Sequence, residues 1–158
     1  MSDLSALLNA DNVRCHVEAS SRKRVLELIA ELVSDEQIGV DALLDGLKAR
    51  ERLGSTGLGH GIAIPHCRIN CDTMRAGLIS LTKAIDYEAS DGELVDLLFV
   101  LVVPEDEQQA HLHALAALAE VFSQSQTRQE LRACQTDAQL LQTMQQCLDS
   151  QVPDSKTA

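Results

Sequence analysis

The sequence predicts a single α/β domain, a small mixed sheet covered by helices. Three observations carry that prediction. Strand-like and helix-like patterns alternate along the chain. The 158 residues suffice for one domain with a substantial core. Residues 94–103 are nearly all apolar, as in a strand buried on both faces.

Taking the elements in order, Val13, Cys15 and Val17 alternate with polar residues and predict a strand, with His16 toward solvent. Ser20 or Ser21 then caps a helix with Val25, Leu28, Ile29 and Leu32 as its apolar stripe. A second helix runs from near Asp41 to Arg52, with Leu43, Leu44 and Leu47 inward and Gly54 stopping it. Residues 62–64 form a short strand and 76–82 a longer one. Pro104 and a run of acids end the apolar strand. Residues 108–124 predict a helix whose inward face carries His111, Leu115, Leu118 and Phe122. Two capping boxes, Thr127-x-x-Glu130 and Thr136-x-x-Gln139, announce further helices. The domain spans 1–150, and 151–158 reads as a flexible tail.

Composition narrows the function. With no tryptophan, one tyrosine and two phenylalanines, the core must be aliphatic, and base-stacking platforms are absent. The formal charge of -11 argues against nucleic acid as a partner and against attraction to anionic membranes. The run 97–103 is too short to span a bilayer. Five cysteines in no framework spacing, behind a polar start, point to reduced thiols in the cytoplasm.

The chemistry concentrates in GSTGLGHGIAIPH, residues 54–66, just after Arg50 and Arg52. A Walker loop fails because His60, not lysine, follows Gly59. A dinucleotide fingerprint fails on glycine spacing and because a helix, not a strand, precedes. His60, His66, Cys67 and Cys71 match no common zinc spacing. A metal-dependent hydrolase would need stoichiometric metal, and no metal or cofactor is expected. Ser55 directly follows its glycine, unlike the serine of a hydrolase elbow.

What remains is histidine as a phosphoryl-accepting nucleophile. It requires a ring mostly uncharged near pH 7, an oriented second nitrogen, and cations or NH donors for the phosphoryl oxygens. Pro65 restricts the backbone ahead of His66 and suits a ring presented at a strand end. Arg50 supplies a permanent forked cation. The glycines let NH groups approach an anion. Ser55, Thr56 and Gly57 are secondary candidates for holding phosphate. His111 falls in the first turn of its helix, where the dipole favours an anion. Helical phase turns it inward and rotates His113 by about 200° to solvent. A core histidine satisfied by one hydrogen bond fits the same position.

RERLGSTGLGHGIAIPH and LLFVLVVPEDEQQAHLHALAALAEVF together resemble the two signature blocks of the type-2 IIA domains of the bacterial phosphoenolpyruvate-dependent phosphotransferase system. The likeness covers the chain up to its tail. It is strongest to the nitrogen-regulatory branch, with mannitol- and fructose-specific members nearby. The resemblance implies a mixed sheet of about five strands flanked by helices. It implies that His66 accepts phosphate from a histidine-phosphorylated HPr-like carrier, that His111 supports the phosphorylated ring, and that Arg50 is an active-site arginine. It implies phosphorylation-dependent binding of targets such as potassium transporters and sensor kinases. A sugar-specific IIA passing phosphate to a IIB domain is the alternative. Cys67 stands where many relatives carry glycine, and either packs or offers an oxidisable thiol. His60 is expected on the rim of the site.

Overall fold

The computed structural model describes residues 4–150. The tail expected at 151–158 lies outside the described residues. A 3-10 turn at Leu4–Leu7 precedes β1 (Val13–Val17), α1 (Arg22–Val33) and α2 (Val40–Arg52). Then come β2 (Gly57–Gly59), β3 (Ile62–Ala63), β4 (His66–Ile69), β5 (Arg75–Ile85) and β6 (Val95–Pro104). Three helices follow: α3 (Gln108–Phe122), α4 (Ser125–Arg132) and α5 (Asp137–Asp149).

Sheet order is β1-β5-β6-β3-β2, and β4 also pairs with β6. β5 is antiparallel to β6, while β3 and β4 run parallel to it one after the other. The short strand expected at 62–64 therefore stops at Ala63. Ile64 turns its NH to the Thr56 carbonyl (3.0 Å), and Pro65, which has no NH, hands the line to β4. His66 is the first residue of that new strand, opposite Leu101. Counting β3 and β4 as one interrupted line gives the five-stranded sheet that the resemblance implied.

β6 is buried along nearly its whole length and serves two cores, as its unbroken apolar run predicts. Leu97, Phe99, Leu101 and Val103 pack under α3, α4 and α5 with Leu118, Phe122 and Met144. Leu98, Val100 and Val102 pack under α1 and α2 with Ile29, Leu43 and Leu47. β4 divides likewise: Cys67 goes to the α1–α2 core, while its neighbour His66 stays half-buried at the surface.

Local details depart from the sequence expectations in physical ways. The buried stripe of α1 is Val25, Leu26, Ile29, Ala30 and Val33, leaving Leu28 and Leu32 half-buried. The buried positions 25, 26, 29, 30 and 33 follow helical spacing, with Leu26, Ala30 and Val33 taking the inward places expected of Leu28 and Leu32. Leu44 and Leu115 are likewise only half-buried. Ser21 and Thr136 cap α1 and α5 as expected, accepting from the NH of Arg24 and Gln139. Thr127 does not cap. It is buried inside α4, which starts at Ser125 behind Gln124 with no side-chain cap, because α3 ends at Phe122, two residues earlier than predicted.

Candidate active site

His66 is held by hydrogen bonds to both ring nitrogens. Nδ1 lies 2.8 Å from the Ile64 carbonyl oxygen, which can only accept, so Nδ1 carries the proton and donates. Nε2 therefore presents a lone pair, and it accepts from Arg50 Nε at 3.3 Å. The backbone break at Pro65 creates this arrangement, since it points the Ile64 carbonyl back at the ring two residues on. Burial lowers the His66 pKa below the ordinary imidazole value. The Arg50 charge adds to this, and the Ile64 carbonyl and Glu51 oppose it.

Arg50 sits in the last turn of α2. Its Nη1 donates to the Gly54 carbonyl (2.8 Å), which anchors the guanidinium to the helix end while Nε faces His66. Gly54 adopts φ +142°, a backbone conformation that side chains resist, and this returns its carbonyl toward Arg50.

His111 comes from α3. Its ring meets that of His66 edge-on, centroids 5.2 Å apart with a 60° interplanar angle. Its Nε2 is buried and has no hydrogen-bond partner among the described residues. Such an orphan nitrogen in a cleft is suited to an arriving polar group. Burial, then the charges of His66, Arg68 and Arg50, lowers the His111 pKa. His113 is exposed, as its phase predicts.

These three residues share one open cleft of about 830 Å³, completed by Arg68, Glu105 and Gln108. Leu53 and Leu112 stand on its rim, 84% and 65% exposed. Ser55, Thr56 and Gly57 are not among the lining residues. Ser55 Oγ donates to the Tyr87 carbonyl (2.9 Å) and accepts from the Gly57 NH (3.1 Å). Thr56 is buried, its hydroxyl donating to Glu51. The hydroxyls thus build the loop rather than face the cleft. His60 is not at the cleft either. It is exposed at φ +58°, its NH on Asp91 (3.0 Å) and its carbonyl on Arg132 (2.6 Å). Cys67 is 6% exposed and burial pushes its thiol up to about 12, so it packs as an inert apolar group.

Sequence reasoning missed Glu51 and Arg68. Glu51 is buried and accepts from Arg22 (2.7 Å), the Thr56 NH (3.1 Å), Tyr87 Oη (2.8 Å) and the Thr56 hydroxyl. It ties α1, the end of α2 and the glycine-rich loop together directly beside Arg50. Nothing in local sequence announces that hub, because Thr56 is its one near partner and the other two, Arg22 and Tyr87, lie 29 and 36 residues away. Arg68 was legible: two residues beyond His66 on a strand, it shares the cleft side.

Comparison with known proteins places the chain in a family. Residues 6–147 match the family described as "Phosphoenolpyruvate-dependent sugar phosphotransferase system, EIIA 2". The nitrogen regulatory protein of Pseudomonas aeruginosa is 42% identical over 142 residues, covering 88% of this chain and 92% of that protein. The nitrogen regulatory protein of Escherichia coli is 39% identical over 142 residues, covering 88% and 87%. The crystal structure of nitrogen regulatory protein IIA-Ntr from Neisseria meningitidis superposes with a TM-score of 0.87 at 32% identity, covering 93% of this chain and 99% of that one. The chain belongs to the EIIA type 2 family of the phosphoenolpyruvate-dependent sugar phosphotransferase system.

Proposed function

We propose that this protein is a phosphoryl-carrier regulatory component of a nitrogen-related phosphotransferase system, phosphorylated on His66. The observation that carries the reading is the fixed tautomer of His66. Its Nδ1 proton is committed to Ile64, and its Nε2 lone pair opens on a cleft lined by Arg50 and His111.

The donor is an HPr-like carrier bearing phosphohistidine. His66 Nε2 attacks phosphorus in line as the N–P bond to the carrier breaks. The bonding pair returns to the carrier imidazole. The geometry gives two advantages: the nucleophile needs no deprotonation, and the Ile64 carbonyl stabilises the positive charge that develops on the His66 ring. Arg50 exchanges its contact with Nε2 for one with a phosphoryl oxygen, and His111 Nε2, when it carries the proton, donates to another. Both act where charge is spread in the transition state.

The output is regulatory. Phosphorylation adds a charge of about -1.5 to -2 beside the exposed Leu53 and Leu112. A partner seated on that rim by apolar contact would discriminate the two states. The curated relatives at 39–42% identity carry the nitrogen-regulatory name, and this supports regulatory targets, such as a potassium transporter or sensor kinase, over a sugar-specific IIB domain.

Incubation with phosphoenolpyruvate and the cognate upstream carriers tests the assignment. Acid-labile label is expected on His66 and lost in His66→Ala. His111→Ala is expected to slow labelling by about 10- to 100-fold, with His113→Ala unaffected. Full labelling of His66→Ala would refute the acceptor assignment. Transfer onward to a IIB domain would favour the sugar-specific reading.

A further inference from the structure

Gly46 occupies the middle of α2, where glycine is a poor helix former. Its backbone is ordinary helix, so conformation does not demand glycine there. Space does. A Cβ at this position would lie 3.1 Å from Cys67 Sγ, 3.4 Å from Cys67 Cβ and 3.7 Å from Ile69 Cδ1. Cys67 cannot swing aside into solvent, because it is 6% exposed in the α1–α2 core. Gly46 and Arg50 are four residues apart and lie on one face of α2. Cys67 is the immediate neighbour of His66 on β4. The contact that seats the helix on the strand is thus one turn from the arginine and one residue from the imidazole.

We propose that Gly46 and Cys67 form a positioning pair: the missing side chain at 46 lets α2 seat on the Cys67 thiol, and that seating sets the 3.3 Å contact between Arg50 Nε and His66 Nε2. The functional consequence rests on the reading of His66 as phosphoacceptor. Neither residue touches the phosphoryl group. Both act through Arg50, whose Nη1 is held by Gly54 at the same helix end while its Nε reaches His66. An extra side chain at 46 lifts α2 from β4 and withdraws the guanidinium. Shortening residue 67 makes room for it again.

The test compares Gly46→Val, Cys67→Gly and the double variant, with Gly46→Ala as a milder probe should the valine variant not fold. Two quantities are read: the single-turnover rate of phosphoryl transfer from the carrier, and the His66 ring titration followed by NMR. The charged or titratable groups acting on that ring or sharing its cleft are Arg50, Glu51, Arg68, Glu105 and His111. Gly46→Val is expected to slow transfer by about tenfold or more. It is also expected to raise the His66 titration toward its ordinary value, as burial and the Arg50 charge both recede. Gly46→Ala moves both quantities in the same direction by less. In the double variant both return close to the values of Cys67→Gly alone, within about threefold for the rate. A Gly46→Val protein with wild-type rate and titration would overturn the proposal, as would a double variant no faster than Gly46→Val. Failure of the unsubstituted protein to label on His66 would instead overturn the acceptor assignment, and the titrations alone would then decide the pair.

Discussion

Burial and the Arg50 charge press the His66 imidazole toward its neutral form more strongly than the Ile64 carbonyl and Glu51 resist, so the ring is the base that the attack requires. His111 is shifted the same way, chiefly by burial. Both shifts have consequences for acid stability. The unfolded chain protonates these rings near about pH 6.5, whereas the native state does so only at lower pH. Between those values the unfolded state binds more protons, so native stability falls as pH drops below about 6.5 and recovers as it rises. Urea midpoints measured from about pH 7.5 to 5.5 should therefore decline in wild type and decline less in a His66→Asn/His111→Asn variant. Equal slopes would remove the shifts. The rate of phosphoryl transfer should likewise hold down to below about pH 6.5 before the acid limb sets in.

At the scale of elements, the end of α2 is where the fold spends its polar groups. Glu51 is 7% exposed and collects donors from α1, from Thr56 and from Tyr87, which is itself fully buried. Burial pushes the Tyr87 phenol up and the Glu51 carboxylate adds to that; on Arg22 burial acts downward, but Glu51, with Tyr87 and Glu88, outweighs it and raises the pKa. Removing one partner of such a buried pair leaves the rest uncompensated. Glu51→Ala is expected to destabilise the protein by about 3–5 kcal/mol in urea unfolding. A loss below about 0.5 kcal/mol would show the hub to be dispensable. Most element boundaries here were legible: the caps at Ser21 and Thr136 are local chemistry, and the β6 run needs no context. The stripe of α1 and the start of α4 were not, because each is set by the neighbour that the helix meets. Thr127 carries a capping signature that its buried position overrides.

Across the whole molecule, the sheet separates two cores and leaves the candidate cleft where α2, β4 and α3 converge at one edge. The two exposed leucines on that rim, Leu53 just past α2 and Leu112 on α3, contribute little to the core. Under the proposed function they are contact points for the carrier. A Leu53→Ala/Leu112→Ala variant should keep wild-type thermal stability while raising KM for the phosphorylated carrier by about tenfold, with little change in kcat. An unchanged KM would place docking elsewhere. Among the described residues no helix is long and apolar enough to cross a membrane.

The amino-acid sequence alone determined the α/β class, through strand and helix periodicity, and the family, through its two signature blocks, and it nominated His66, Arg50 and His111 as candidates, because periodicity, glycine and proline positions and helical phase are properties of neighbours along the chain. It could not decide that Ser55, Thr56 and His60 turn away from the cleft, that Glu51 is a buried hub, or which nitrogen of His66 is free. Those depend on hydrogen-bond partners that only the folded backbone brings into place, from the Ile64 carbonyl two residues before His66 to Tyr87, Asp91 and Arg132 farther along the chain.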